Sequence, residues 1–345
     1  MKSLAVEKDH TLHVVDIPIP TIDSSSALVK IHGCGICGTD IKTLHGTFKG
    51  FETYPFLTGH EAVGEVVEVG KDVTCFQVGD HVMLPYLEGE INGYAAGHGG
   101  FSEYGICHDL KAMAMNGKGP DAPGFNELLY PQKKIPKDFD VATGVMMVTL
   151  REVLAATRHF NFQPGQSLVI FGGGSVGLAF VKFAKLIGMG PVILVDILDE
   201  KVKEAEKLGA DYAFNSTKVD VVSEVRKICP EGVDYTLDAV GVNALIPTAM
   251  QLIRRGAKVL IYGISPVVQM NFDWTPAPDN WTLEVFWAPD KIMEAAVHDQ
   301  LVNWVQMGLI EPKQFVSHIL EFKDVFEGFR MMEGKEATKK IVITI

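Results

Sequence analysis

Apolar and polar residues alternate at the start of the chain, with Leu4 and Val6, then Leu12 and Val14, on one side of the pattern. The same period of two returns in Ala27 to His32, Ala62 to Val69 and His81 to Leu84, with turns such as Val78-Gly79-Asp80 between the runs. A period of two marks half-buried strands, so the chain up to about residue 110 reads as mainly β, a barrel or a sandwich. From about Asp140 the texture changes. Val141 to Phe160 has helical spacing, Pro164-Gly165 breaks it, and Ser167 to Phe171 is a short buried-strand run. Strand and helix then take turns: Val176 to Ile187 helical, Val192 to Asp196 a strand, Asp199 to Leu208 helical, Val233 to Ala239 a strand, Ala244 to Ile253 helical, Lys258 to Gly263 a strand. Such alternation predicts right-handed crossovers and a parallel sheet. The tail carries amphipathic helices at Ile292 to Met307 and Val325 to Met332, and a last strand at Lys340 to Ile345.

One segment, Lys111 to Tyr130, fits neither texture. Its length and its Gly/Pro content predict a cover beside a cleft or a contact with a sister subunit, a plain surface excursion being the alternative. The formal charge of -12 argues against nucleic acid and anionic membrane as partners. The alternating N-terminus reads as opening strands rather than a signal peptide, and no apolar run is long enough to span a bilayer, so a cytoplasmic location is expected. Five scattered cysteines, Cys34, Cys37, Cys75, Cys107 and Cys229, suit reduced thiols better than a disulfide framework.

Gly172-Gly173-Gly174-Ser175-Val176-Gly177 matches G-x-G-x-x-G, follows a strand and opens a helix, and Asp196 ends the next strand 19 residues after Gly177. In a dinucleotide site the first glycine makes the tight turn, the second lets backbone approach the pyrophosphate, and the third lets helix pack on strand. Gly174, Ser175 and Val176 put the helix N-terminus, with its free N–H groups, at the phosphates. Asp196 can accept from both ribose hydroxyls and repels a 2′-phosphate, and no arginine follows it, so NAD is expected over NADP.

Cys37 lies in Gly35-Ile36-Cys37-Gly38-Thr39-Asp40, and His60-Glu61 follows 23 residues on. A thiolate, an imidazole and a carboxylate form the donor set of a catalytic zinc, which polarises an alcohol oxygen as a Lewis acid. Thr39 can pass the alcohol proton outward, and Asp40 can orient His60. A redox role for Cys34-x-x-Cys37 and a purely packing role for the cysteine and histidine are the competing readings. No second Cys pair exists to complete a four-cysteine site.

GICGTD, GHEAVGEVVEVG, VGDHV, GGFSEY and IFGGGSVG occur in this order, and together they resemble the medium-chain zinc-dependent alcohol dehydrogenases, nearest to the sorbitol, threonine and secondary-alcohol branches. The resemblance spans nearly the whole chain. It implies an α/β protein in which a Rossmann doubly wound parallel sheet, residues 151–275, is inserted in a GroES-like mainly-β catalytic domain, residues 1–150 and 276–345. It also implies zinc on Cys37 and His60, Glu61 as a nearby or exchanging ligand, Thr39 as proton relay, a small alcohol or ketone as substrate, and a homodimer or homotetramer. Three departures qualify it. Met83 to Gly100 holds no cysteine, so the family's structural zinc is not expected. Val148 stands where the family's third zinc ligand stands, and Glu152, one helical turn on, can supply that carboxylate or bind substrate, or else pair on the surface with Arg151 or Arg158. Trp287 follows Val285-Phe286 where polyol-dehydrogenase relatives place an arginine, which favours a less hydroxylated substrate. Two other readings within the fold are a zinc-free NADPH reductase of activated double bonds and a dinucleotide-binding relative without catalysis.

Overall fold

The computed structural model describes residues 1–345 except 49–50, 268, 272 and 335. The chain divides into two compact units, Met1–Arg151 with Asp290–Ile345, and Glu152–Pro289. The long helix Val141–His159 contains the first crossing.

The first unit is mainly β. A seven-stranded sheet is built around Ser26–Ile36, which pairs antiparallel with Ala62–Val69, Tyr104–His108 and the C-terminal strand Lys340–Thr344. Alternation, shifted by an irregularity between Ile31 and Gly33, sends Ile31, Cys34 and Ile36 into one core with Leu4, Val6, Phe56, Phe101, Phe329, Ile341 and Ile343. A five-stranded sheet joins Lys2–Val6 and Leu12–Asp16 to Phe56–Leu57, Tyr94–Ala96 and Glu90–Ile91. Glu90–Ile91 and Tyr94–Ala96 form a hairpin through Asn92-Gly93, both at positive φ, as its primed turn requires. The C-terminal strand thus lies beside the strand that leads into Cys37, although the two are separated by nearly the whole sequence.

The second unit is the expected doubly wound α/β layer. Its six strands run in the order Tyr212–Asn215, Val192–Asp196, Leu168–Phe171, Val233–Asp238, Ile253–Ile261, Thr282–Val285, every pairing parallel. Val169, Phe171, Ile193 and Val195 face a core closed by Val225, Ile246, Met250 and Val259. The order reverses beside Leu168–Phe171, where the Gly-rich turn begins, and such a reversal opens a crevice at the C-terminal strand ends.

Several expectations need correction. The nucleotide unit runs to Pro289 and not to 275, because Thr282–Val285 adds a sixth parallel strand that the pattern did not reveal. The helix expected over Ile292 to Met307 is two, Lys291–Ala296 and His298–Gln306, meeting at Val297 where the buried His298 ring turns in to donate from Nε2 to the Lys134 carbonyl at 2.8 Å. Strand Ile253–Ile261 begins five residues before the expected Lys258 and takes the end of the preceding helix. Strands Tyr212–Asn215 and Val316–Glu321 and helix Val221–Ile228 were not expected. Both strands are mostly half-exposed, which blurs their period.

Lys111 to Tyr130 is less open than its sequence suggests. Asp109 caps a helix, Leu110–Met115, and Asn126 caps a 3-10 turn, Glu127–Leu129. Asn116 and Lys118 tie the segment to Asp72, Ser24 and Asp23 at the surface of the same unit. Among the described residues, no helix is long and apolar enough to cross a membrane.

Candidate active site

The candidate metal centre is assembled by the ends of three elements in the first unit. Strand Ser26–Ile36 delivers Cys37, which caps the helix Gly38–Leu44; the Cys37 amide donates to Asp40 Oδ2 at 2.8 Å. Asp40 is buried and turns its other oxygen to His60, whose Nδ1 donates to Oδ1 at 3.2 Å, and to the Thr58 hydroxyl at 3.3 Å. That bond fixes the imidazole and leaves Nε2 for a metal. Ligand atoms of Cys37, His60 and Glu61 lie within 4.8 Å of one another, the only such group of three among the described residues. Burial opposes charge on His60, but the Asp40 carboxylate outweighs it and pushes the imidazole well above its ordinary value. Burial likewise works to raise Asp40, and His60 with the Cys37 amide overcomes it and holds the carboxyl below its usual range. A soft thiolate, a carboxylate-oriented imidazole and a carboxylate in this proximity fit zinc.

Glu61 is not simply an open ligand. It is buried and accepts from Lys340 Nζ at 2.6 and 2.7 Å and from the Thr149 hydroxyl at 3.0 Å. Lys340 is buried as well; burial favours its neutral form, yet the Glu61 charge holds it well above an ordinary lysine. Lys340 therefore competes with a metal for Glu61. No local signal foretold this pair, since Lys340 heads a C-terminal strand 279 residues away. Val148 is buried and offers no donor. Thr39 sits half-buried in the first turn of the Cys37 helix. Cys34 is fully buried, and burial pushes its thiol well up, which removes it as a redox partner of Cys37.

Glu152 falls in the second unit and is not part of the metal-ligating group. Its carboxylate accepts from the Tyr262 hydroxyl at 2.9 Å. In the same unit Phe286 stacks on His159, ring centres 3.5 Å apart, and Trp287 stands partly exposed beyond it.

The nucleotide loop is built from backbone. Gly172 has φ 102, and its amide donates to Val195 at 2.8 Å as the chain leaves its strand. A Cβ on Gly177 would overlap the Gly172 carbonyl oxygen, so only glycine lets the helix Ser175–Ile187 close on the strand. Gly174 caps that helix and faces open space, with Ser175 and Val176 half-exposed after it. Asp196 accepts from the Gly173 amide at 2.7 Å and from the Ile197 and Leu198 amides at 2.7 and 3.0 Å. Lys201 Nζ lies 3.9 Å from the same carboxylate. Lys201 stands in the first turn of the helix Asp199–Lys207, which follows that strand.

Two family models match, the alcohol dehydrogenase GroES-like domain over residues 23–116 and the zinc-binding dehydrogenase domain over residues 175–297. Sorbitol dehydrogenase of Bacillus subtilis is 28% identical over 354 residues, covering 99% of this chain and 97% of that one. Probable D-xylulose reductase A of Aspergillus clavatus is 26% identical over 353 residues, covering 99% of this chain and 96% of the other. Among solved structures, 2R,3R-butanediol dehydrogenase of Bacillus subtilis shares the fold with a TM-score of 0.79 at 23% identity, covering 100% of this chain and 99% of that chain. With both domain types matched and its metal-ligating group on the GroES-like side, the chain belongs to the zinc-dependent medium-chain alcohol dehydrogenase family.

Proposed function

We propose that the protein oxidises a secondary alcohol or polyol to its ketone, and reduces the ketone in return, with NAD as hydride carrier. The observation that carries the reading is the close group of Cys37, His60 and Glu61, with His60 oriented by Asp40. Oxidation turns the alcohol and NAD⁺ into ketone, NADH and a proton. Cys37 and His60 would hold one zinc, with Glu61 as an exchanging ligand and Glu152 kept for substrate. When bound, zinc supplies the Lewis acidity that makes the alcohol hydroxyl easier to deprotonate. Thr39 accepts the hydroxyl proton and passes it outward. Lys340 and Thr149 hold Glu61 back, so that its charge is balanced when it is not a ligand.

Gly172, Gly174, Ser175, Val176 and Gly177 cradle the pyrophosphate through backbone N–H groups, and Asp196 takes the adenosine ribose hydroxyls. The three amides aimed at Asp196 fix its carboxylate at the end of its strand, which supports NAD over NADP. A segment without cysteine between Met83 and Gly100 supports a single zinc with no structural site. The enzyme works as a homodimer or homotetramer in the cytoplasm.

The test is NADH appearance with a panel of polyols, secondary alcohols, hydroxy acids and amino alcohols, read beside zinc content after dialysis. Turnover of secondary alcohols or polyols that disappears on chelation supports the reading. Full turnover by metal-free protein overturns the zinc chemistry.

A further inference from the structure

His98 belongs to no motif of the metal centre, yet the first unit holds it there with unusual care. It has φ 74, a left-handed conformation that an L-residue with a ring adopts only at a cost. Such strain persists where the surroundings over-determine it, and here they do. The His98 carbonyl accepts from the Leu87 amide at 2.8 Å. Two residues on, the Gly100 amide donates to the Gly59 carbonyl at 2.7 Å, immediately before His60 in the chain. A Cβ on Gly100 would press on Gly59 and on Cys34 Sγ, so the segment lies flat against the strand end that presents His60. The ring itself is half-exposed. Buried Tyr86 packs on it edge to face, ring centres 4.9 Å apart, and the His60 ring centre is 6.2 Å away.

From this placement we infer that His98 is a specificity-determining residue, binding the second hydroxyl of a vicinal diol whose carbinol oxygen is gathered at Cys37 and His60. The inference rests on the alcohol-dehydrogenase reading above and narrows its substrate class. A neutral imidazole carries one donor and one acceptor; the Gly97 backbone takes the donor, and the acceptor is left for a substrate hydroxyl to donate to. The two rings are separated by a span that one additional carbon and its hydroxyl can bridge. A simple secondary alcohol places only carbon there and leaves that acceptor nitrogen unmet.

The experiment compares 2,3-butanediol with 2-butanol on the zinc-loaded wild type, His98→Gly and His98→Asn. Glycine removes the ring and relieves the backbone, and asparagine tolerates the left-handed conformation while keeping a donor and an acceptor. His98→Gly should lower kcat/KM for the diol about tenfold, the worth of one neutral hydrogen bond, and leave 2-butanol within about threefold. His98→Asn should recover part of the loss, and zinc content by elemental analysis should be equal in all three proteins. Equal losses on both alcohols, or zinc lost from His98→Gly, overturn the proposal, the second result making His98 a ligand. If the wild type oxidises neither alcohol, the proposed function falls, and calorimetric binding of the diol to zinc-loaded protein decides the role of His98. Weaker binding by His98→Gly sustains it, and equal binding by both proteins ends it.

Discussion

The metal centre of the first unit and the nucleotide loop of the second are built in opposite ways. At the nucleotide loop the work falls to backbone: one positive φ, one close approach, and amides at a helix start, all within six consecutive residues, with Asp196 at the end of the adjacent strand. At the metal centre it falls to side chains drawn from across the chain: Cys37, Asp40, His60 and Glu61, then Thr149, then Lys340. A backbone site tolerates almost any side chain except at its glycines. A side-chain site tolerates almost any backbone but depends on every charge being matched in a buried place. The two should therefore fail differently when broken.

Cys37→Ala is expected to have the largest effect. It removes the soft ligand and should empty the site of zinc, with kcat/KM falling by about three orders of magnitude or more, as loss of several kcal/mol of Lewis-acid stabilisation implies. Cofactor affinity, measured by NADH fluorescence, should stay within about threefold, because nothing in the nucleotide loop depends on the metal. A variant that keeps its zinc, or loses NADH binding in parallel, would erase the contrast between the halves.

Gly177→Ala is the converse. The added methyl collides with a carbonyl rather than with a movable side chain, so strand and helix must part. NADH affinity should drop about a hundredfold, with the phosphate cradle out of register, while zinc content stays at the wild-type level. Unchanged affinity would mean that the loop can rearrange and that the third glycine is not required.

The same contrast explains what could be read from the chain alone. Gly172 to Gly177 and Asp196 were legible because their chemistry is local: strand, turn, helix and acid follow one another at fixed spacing. Cys37 and His60 were legible as residues, but their surroundings were not. That Glu61 is held by Lys340 depends on strand Lys340–Thr344 pairing beside Ser26–Ile36, a contact with no trace in either segment. Thr282–Val285 escaped notice for a related reason. As an outer strand with half-exposed side chains it has neither the continuous apolar run of Leu168–Phe171 nor a clean alternation. His98 was hidden inside a Gly-rich run whose meaning appears only when φ is known.

Acid should distinguish the units more gently. His298 is buried in the first unit; burial, and then the nearby Arg151 guanidinium, hold its imidazole down at about 4. The unfolded chain titrates near the ordinary value of about 6.5. Protons thus favour the unfolded form between these values, and the stability present above about pH 6.5 is lost as pH falls towards about 4. At pH 5 the loss from this one group is about 2 kcal/mol. The only histidine of the second unit, His159, is exposed, so this penalty is confined to the first. Urea unfolding at pH 7 and pH 5 should show the difference, and His298→Gln should remove its own share of about 2 kcal/mol, leaving that of His98, which burial likewise holds down at about 4. An equal pH dependence in that variant would assign the acid sensitivity to other groups.

Asp196→Ala is the smallest expected effect and the finest probe of the backbone-built half. Asp196 is the side chain to which the proposed function assigns cofactor choice there, and its neighbour Lys201 has its ammonium 3.9 Å away. On the proposed reading the carboxylate meets the ribose 2′ position, and the nearby lysine is partly neutralised by it. With alanine in its place two hydroxyl acceptors are lost, so kcat/KM with NAD should fall about tenfold. Lys201 is then released to meet a 2′-phosphate, and activity with NADP should rise as that with NAD falls, bringing the two cofactors close to parity. Adding Lys201→Ala should take the NADP gain away without restoring NAD, which separates attraction by the lysine from mere relief of repulsion. A wild type that prefers NADP, or an Asp196→Ala variant with undiminished preference for NAD, would mean that discrimination lies elsewhere in the nucleotide unit and that Asp196 serves chiefly to tie Gly173, Ile197 and Leu198 together.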